Sequence, residues 1–209
     1  MLSVPFDLSG SQRATLDAYV AELERLNRRV NLVARPASRA DLERHVRHCL
    51  ALAAKPFPHG ATVVDWGSGG GLPAVPLAVA FPDLEVVAVD TVGKKTETVK
   101  LVSRRLDITN LAAWNGRAET YDGPAPHVSV SRATAPLATL WAWHTRVCQP
   151  IDLEGDVWSG LVCLKGGDLE GEIAQLHEVA PDVEVTVSGL EDVLGPEWSD
   201  KSIVQVTGL

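Results

Sequence analysis

The chain has 209 residues, of which 45% are hydrophobic and 22% charged, and its formal net charge is −8. This composition is ordinary for a globular protein with a sizeable core, and the negative charge taken alone argues against nucleic acid as a partner. No apolar run approaches the ~18 residues of a membrane span, and the first residues lack the basic and apolar segments of a secretory signal. We therefore expect a cytoplasmic monomer without membrane contact that folds as a single domain over residues 1–209.

Two helices are predicted before residue 60. Residues 9–12 have the capping-box pattern that starts a helix, and residues 38–41 start a second one. The apolar faces consist of Leu16, Tyr19, Val20, Leu23, Leu26 and Val30 in the first helix and of Leu42, His45, Val46, Cys49, Leu50 and Ala53 in the second. We interpret residues 1–59 as an N-terminal helical extension.

From residue 60 onward, short apolar strands alternate with helices. The pattern predicts strands at 61–65, 85–90, 111–114, 127–131, 158–164, 182–188 and 202–207, and helices near 73–81, 93–106, 135–147 and 168–179. Such alternation predicts a mostly parallel sheet with helices on both faces. Because only a loop over residues 189–201 joins the last two strands, we expect that pair to be antiparallel. Residues 60–209 are therefore predicted to form an α/β core.

The most informative segment connects the first strand to the helix that follows it. Residues 65–73 read Asp-Trp-Gly-Ser-Gly-Gly-Gly-Leu-Pro. Gly67, Gly69 and Gly71 allow a tight turn and leave no Cβ between the backbone and a ligand, and the next helix offers free amide groups. We expect an anionic or polar small molecule to bind at this glycine turn.

The spacing around the turn favours one ligand over another. A dinucleotide site requires glycine at position 72, where this chain has Leu72. Asp65 would repel a pyrophosphate but can receive an ammonium group, which favours S-adenosylmethionine, a cofactor with an ammonium and a sulfonium. Asp90 ends the second strand at about the separation where a carboxylate accepts ribose hydroxyls. The alternative is an ordinary strand-to-helix turn, with both acids as solvated strand ends.

Further candidates follow the other strands, because ligands of open α/β sheets lie beyond the carboxyl ends of the strands. Thr91 follows the second strand, and residues 116–119, with the carboxylate of Glu119, are suited to clasp an adenine. Arg132 and Lys165 end the fourth and fifth strands, where each is placed to meet a carboxylate, a phosphate or a nucleobase. Both are candidates for a catalytic role, and the alternative for each is a surface ion pair.

The charge is unevenly distributed along the chain. Residues 1–50 carry eight arginines and six acidic residues, whereas the net negative charge lies mostly after residue 150, where Lys165 and Lys201 are the only lysines and no arginine occurs. A basic surface that contacts RNA is therefore compatible with the sequence, as is a set of solvated helix faces with ion pairs along each helix. The candidate RNA-binding residues are Arg28, Arg29, Lys94, Lys95 and Lys165.

Cys49, Cys148 and Cys163 are odd in number, far apart and without Cys-x-x-Cys spacing, so we expect buried thiols and no metal site. Trp141 and Trp143 are two positions apart on a predicted helix, so their side chains face different directions. We expect both to belong to the core rather than to stack on bases.

Several motifs along the chain together resemble one known family. The motifs are Asn31-Leu32, His45, Asp65-x-Gly67-Ser68-Gly69-x-Gly71-Leu72-Pro73-x-x-Pro76-Leu77, Asp90-Thr91-x-x-Lys94-Lys95, Arg117-Ala118-Glu119, Ser131-Arg132-Ala133 and Leu164-Lys165-Gly166. In order and spacing they resemble the bacterial small-subunit ribosomal RNA guanine-N(7) methyltransferases, formerly called glucose-inhibited division protein B. The resemblance covers about residues 15–207, and the extension after the glycine turn and the lysine pair make it specific.

The resemblance implies a Rossmann-like class I methyltransferase fold, with a seven-stranded, mostly parallel sheet that ends in an antiparallel pair. It implies an enzyme that uses S-adenosylmethionine to methylate N(7) of one guanine in small-subunit (16S) ribosomal RNA, either free or within the ribosomal particle. It also implies that the cofactor site is lined by Gly67, Leu72, Ala118, Glu119 and Arg132.

The chain departs from the family pattern at three places, one of which is Trp66 in place of a usual small aliphatic residue, where we expect packing beneath the turn. His48 and Cys49 stand where Asp-Ser is common, which removes the acidic side chain that an RNA-side role of that position would use. Ala74 replaces a usual glycine, a change that is well tolerated at the start of a helix.

Two other functions are compatible with some of these features. A NAD-dependent oxidoreductase would use a similar turn, but Leu72 and Asp65 oppose it. A non-catalytic RNA-binding or ribosome assembly factor could retain the same pocket without using it.

Overall fold

The centre of the molecule is a seven-stranded sheet, seen in a computed structural model that describes residues 7–34 and 36–208. The strands are β1 (Thr62–Trp66), β2 (Glu85–Asp90), β3 (Leu111–Asn115), β4 (Val128–Arg132), β5 (Gly160–Gly166), β6 (Glu184–Gly189) and β7 (Lys201–Thr207). Their order is β3-β2-β1-β4-β5-β7-β6. Strands β1 to β5 are parallel, and β7 is antiparallel to both β5 and β6. The predicted sheet and its antiparallel final pair are confirmed.

Helices cover both faces of this sheet. They are α1 (Gly10–Asn27), α2 (Arg39–Leu50), α3 (Ala74–Ala80), α4 (Gly93–Arg105), α5 (Leu137–Val147), α6 (Leu169–Val179) and α7 (Glu191–Leu194). Both predicted capping boxes are present at the starts of α1 and α2. No helix within the described residues is long and apolar enough to cross a membrane.

The structure corrects the end of the first helix and the content of the last loop. The first helix ends at Asn27 rather than near Val30, because the Asn27 side-chain oxygen accepts the amides of Leu32 and Val33 and turns the chain. The segment predicted as a loop between the last strands contains α7 and a short 3-10 turn, Pro196–Trp198.

Alternating residues of the strands face two separate hydrophobic clusters. Val63 packs on the face shared with α1, α2, α3 and α4, whereas the next residue, Val64, packs on the face shared with α5 and α6. Burial on both faces explains why the central strands are continuous apolar runs. Cys49 and Cys163 are buried free thiols, and Cys148 is a half-buried one.

The N-terminal helices support the glycine turn directly. Tyr19 is fully buried, and its hydroxyl donates to the Gly70 carbonyl at 3.0 Å. A Cβ on Gly70 would lie 3.0 Å from Leu32 Cβ and 3.1 Å from Leu23 Cδ2, so two apolar side chains press on the turn from the same side. The turn is therefore held between the sheet and the helical extension.

The connection between β6 and β7 is bound to α2. Arg47 donates to the Leu194 carbonyl at 2.7 Å, and the Arg44 guanidinium lies 4.2 Å from the centre of the Trp198 ring. The His48 ring lies 5.1 Å from the same tryptophan and is buried. The departure at His48 thus places an imidazole in an internal contact between α2 and this connection.

Replacing Tyr19 with phenylalanine should lower the free energy of unfolding by about 1 kcal/mol, because the buried Gly70 carbonyl loses its donor. The amides of Gly71 and Leu72, which belong to the turn, should exchange faster with solvent deuterium. Tyr121→Phe is the control, since that hydroxyl donates to Pro124 only three residues away. Urea unfolding and amide exchange measure both effects, and equal exchange at the turn in the two variants would contradict this role of Tyr19.

Candidate functional site

The glycine turn lies beyond the carboxyl end of β1. Gly67, Gly69 and Gly71 have φ values of 73°, 59° and 99°, which side chains rarely adopt. A Cβ on Gly67 would also overlap the side chain of Thr134, so the loop after β4 approaches the turn closely. Both the backbone conformation and this close approach require glycine at position 67.

The carboxylate of Asp90 organises the backbone around the turn. One oxygen accepts the Gly69 amide at 3.0 Å and the other accepts the Val92 amide at 2.8 Å. Lys95 Nζ lies 3.7 Å from the first oxygen. Asp90 therefore connects the turn to the start of α4, and each of its oxygens retains acceptor capacity for a ligand hydroxyl.

Asp65 is completely buried beneath the turn. One oxygen accepts the Ala74 amide at 3.0 Å and so holds the start of α3. The other oxygen is buried and forms no hydrogen bond within the described residues, although the Ser68 hydroxyl, also buried and unbonded, lies close enough to lower the carboxyl's pKa. Burial raises the pKa of this carboxyl to about 7, and Ser68, Ala74 and Arg132 counteract that rise only in part. The site thus contains a buried acceptor that is not satisfied by the described part of the protein.

Arg132 lies between the sheet and the helical extension. One of its terminal nitrogens is 3.3 Å from His45 Nδ1, whereas its Nε is buried and lacks a partner among the described residues. Burial, and next the charge of Arg132, lower the pKa of His45, so that imidazole is neutral and accepts from the guanidinium. Arg132 therefore connects the end of β4 to α2.

A cavity of about 370 Å³ opens between the turn, the end of β2 and the loop after β4. It is lined by Gly67, Val89, Asp90, Thr91, Val92, Lys95, Gly116, Ala118, Ala133, Thr134 and Trp143. The structure thus brings Gly67, Asp90, Thr91 and Ala118 together, as predicted residues of one site. The other predicted cofactor residues do not line this cavity. Gly69, Gly71 and Leu72 shape the turn, Asp65 is buried beneath it, Arg132 lies toward the helical extension, and Glu119 is exposed next to Ala118.

Sequence reasoning missed several residues of the cavity wall. Trp143 packs against the hydrophobic cluster on its face of the sheet, as predicted, but it also lines the cavity, with its ring 6.2 Å from the buried ring of Trp66. Thr134 also lines the cavity, and its place directly after Ser131-Arg132-Ala133 is the signal that could have identified it. Trp143 gave no such signal, because its orientation depends on how α5 packs on the sheet.

Lys165 has an internal position rather than a surface one. It is 8% exposed, and its ammonium donates at 2.7 Å to both the Ala135 carbonyl and Glu172. Glu172 also accepts the amide of Leu137, the first residue of α5. The ion pair therefore ties β5 and α6 to the start of α5, and the ammonium does not reach the cavity described above.

The other predicted basic residues differ in accessibility. Arg28 is exposed and lies 3.6 Å from Glu24, and Arg29 is exposed as well. Lys94 is exposed at the start of α4, whereas Lys95 is half-buried beside Asp90. No group of three or more His, Cys, Asp and Glu side chains within the described residues is placed to hold a metal ion.

Comparison with known proteins identifies the family. The family model described as rRNA small subunit methyltransferase G matches residues 12–193. The chain belongs to this family. The ribosomal RNA small subunit methyltransferase G of Salinibacter ruber is 51% identical over 207 residues, which are 97% of this chain and 96% of that protein. The protein of the same name from Chlorobium limicola is 38% identical over 168 residues, 80% of this chain and 73% of that one.

Solved structures share the fold at low sequence identity. Fibrillarin from Aeropyrum pernix, solved with natively bound S-adenosyl-L-methionine, has a TM-score of 0.55 at 16% identity. The match covers 75% of this chain and 73% of the fibrillarin chain. A SAM-dependent methyltransferase from Aquifex aeolicus has a TM-score of 0.53 at 13% identity, covering 91% of this chain and 97% of its own. These likenesses show the class I methyltransferase fold.

Replacing Asp65 with asparagine tests the buried carboxyl through pH. The carboxyl has a pKa of 3.8 in the unfolded chain and of about 7 in the folded chain, so between these pH values only the folded chain holds the proton. The contribution of Asp65 to the free energy of unfolding therefore falls as the pH rises from about 3.8 to about 7. Asp65→Asn should therefore gain stability relative to the natural chain over that range, on the order of a few kcal/mol, with no further gain above it.

The comparison isolates Asp65 because His45, His48 and His144, the histidines whose pKa burial lowers, are present in both proteins and contribute equally. Urea unfolding at a series of pH values from 4 to 8, in the absence of ligand, measures the difference. Parallel curves for the two proteins would contradict a raised pKa at Asp65.

Proposed function

We propose that this protein uses S-adenosylmethionine to methylate N(7) of a guanine in small-subunit (16S) ribosomal RNA. The observation that carries the proposal is the match of residues 12–193 to the methyltransferase G family, a span that contains the glycine turn, Asp90 and the cavity wall. The substrate is ribosomal RNA, either free or within the small-subunit particle. We accordingly propose that the enzyme acts in the cytoplasm, where ribosomal subunits are assembled, and does so as a monomer.

Two structural observations support binding of S-adenosylmethionine by the residues of this site. The buried, unpartnered oxygen of Asp65 is an acceptor for a cation such as the cofactor's ammonium. The oxygens of Asp90 keep acceptor capacity for the two ribose hydroxyls at the edge of the cavity. We assign the adenine to the segment with Ala118 and Glu119 and the cofactor's carboxylate to Arg132, whose Nε lacks a partner among the described residues. The remaining cofactor-binding assignments are Gly67, Gly69, Gly71, Leu72 and Thr91.

The chemistry places few demands on the side chains. The cofactor supplies a methyl group on a sulfonium, and guanine N(7) already carries an exposed lone pair and no proton. Attack by N(7) needs no general base, so holding the two reactants in line and excluding water is the task of the site. The Arg132 side chain has hydrogen-bond donors but no acceptor, and the Lys165 ammonium is paired with Glu172, so we assign both residues to positioning.

The RNA surface is proposed to border the mouth of the cavity. Arg28 and Arg29 lie just before Leu32, which packs on the glycine turn. Lys94 lies next to Lys95, which lines the cavity on its other side. These four cations could pair with phosphates on either side of the target base. Lys165 is left out of this surface, because its ammonium is paired inside the protein.

A thermal shift assay distinguishes this function from its two alternatives. S-adenosylmethionine should raise the melting temperature of the natural chain, and NAD should not. A response to NAD would favour an oxidoreductase, and no response to either compound would favour a binding factor with an unused pocket.

Asp90→Ala should weaken S-adenosylmethionine binding by about 10–100-fold, because the variant lacks the charged hydrogen bonds to the ligand and to the turn. Glu85→Ala is the matched control, since that exposed carboxylate lies at the opposite end of the same strand. Calorimetric titration measures the affinities. If Asp90→Ala bound S-adenosylmethionine as tightly as the natural chain does, the proposed ribose position would be excluded.

Arg29→Glu should weaken binding to small-subunit RNA and lower the slope of log affinity against log salt by about 0.7 for each single-strand phosphate that the protein no longer neutralises. Arg104→Glu makes the same charge change on an exposed arginine at the far end of α4 and should leave the slope unchanged. Cofactor affinity should be the same in both variants. Filter binding over a range of salt concentrations checks the prediction, and equal slopes would show that Arg29 belongs to a solvated helix end.

A further inference from the structure

A second cavity lies at the opposite edge of the sheet from the glycine turn, where β4 and β5 begin and β7 ends. Its volume is about 270 Å³. It is lined by His127, Trp141, His144, Gln149, Pro150, Ile151, Leu153, Ser159, Gly160, Thr207 and Gly208. None of these residues belongs to the site described above or to the proposed RNA surface.

The cavity wall is apolar and uncharged apart from a few polar groups. Trp141 forms part of it and is 5% exposed, while Leu153 stands at the cavity with 52% of its surface exposed. No Asp, Glu, Lys or Arg side chain is among the lining residues in the described part of the chain. An ion would therefore gain no partner here, whereas an uncharged ring would gain apolar contact.

His144 presents an unsatisfied donor at this cavity. The residue is 1% exposed, and its Nδ1 lies 3.0 Å from Ser129 Oγ. That oxygen accepts from Trp66 Nε1, and we assign its proton to Nδ1, because an imidazole nitrogen is a better acceptor than the Cys148 sulfur at 3.3 Å. The imidazole proton is then on Nε2, which is buried and has no partner among the described residues.

His127 supplies a second donor by the same reasoning. Its Nδ1 accepts the amide of Thr62 at 2.9 Å, so the ring proton is on Nε2. Burial lowers the pKa of His144 to about 4, so the His144 ring stays neutral in ordinary buffers. The lining thus combines two imidazole N–H groups with an apolar wall.

We propose that this cavity binds a small uncharged compound of one or two rings that carries a carbonyl oxygen. The carbonyl accepts from His144 Nε2 or His127 Nε2, and the ring lies against Trp141 and Leu153. The volume suits such a compound, since it is close to the lower end of the range of about 300–1,000 Å³ for small-molecule sites.

Titration of the full chain with oxindole tests this site, with indane as the control because it has a similar shape and no carbonyl. Oxindole should shift the imidazole ¹⁵N resonances of His144 and His127 saturably, and indane should bind at least several-fold more weakly. S-adenosylmethionine should not compete, because its proposed site is at the other edge of the sheet. This independence separates the present proposal from the proposed function.

His144→Phe removes the buried donor and should weaken oxindole binding by about five- to tenfold. Leu153→Ala should weaken it by about two- to fivefold without endangering the fold, because the side chain is half exposed. Val179→Ala is the matched control, an exposed apolar residue on α6 that does not line the cavity. The proposal would be overturned by any of three results: no saturable binding of oxindole up to about 10 mM, binding of indane as tight as that of oxindole, or equal affinity for oxindole in all three variants.

Discussion

Two carboxylates at the ends of neighbouring parallel strands hold the backbone of the glycine turn from opposite sides. Asp65 binds the first amide of α3, and Asp90 binds the amide of Gly69 inside the turn. The parallel pairing of β1 with β2 brings both acids to the same edge of the sheet. The position of the turn, the shape of the cavity and the approach of the loop after β4 all depend on this pair of contacts.

The same arrangement makes the free protein less stable than it could be. Asp65 is buried by the helical extension and keeps one oxygen without a partner among the described residues, a cost that a fully apolar core would avoid. Arg132 compensates in part through its charge. Under the proposed function, a cationic group of the cofactor at that oxygen would satisfy it and recover part of this cost as binding free energy. The helical extension, through Tyr19 and Leu32, thus supports the glycine turn although it lies outside the sheet.

Local patterns in the sequence were sufficient to predict the strands, both capping boxes and the antiparallel final pair, because those features depend on neighbouring residues. The same patterns could not reveal the pairing of Lys165 with Glu172, since the choice between an internal and a surface ion pair depends on how α6 packs. They also could not show that His48 contacts Trp198, which is far away in the chain. Trp143 lines the cavity beside the glycine turn for a comparable reason, because only the packing of α5 determines which way it points.

Methyl transfer to ribosomal subunits tests the central claim most directly. The purified chain would be incubated with tritium-labelled S-adenosylmethionine and small subunits that lack the modification, and the RNA would then be digested to nucleosides. We expect label in 7-methylguanosine, at a single position of the small-subunit RNA. Absence of label, or label in a base other than guanine or on an exocyclic amine, would contradict the proposed activity.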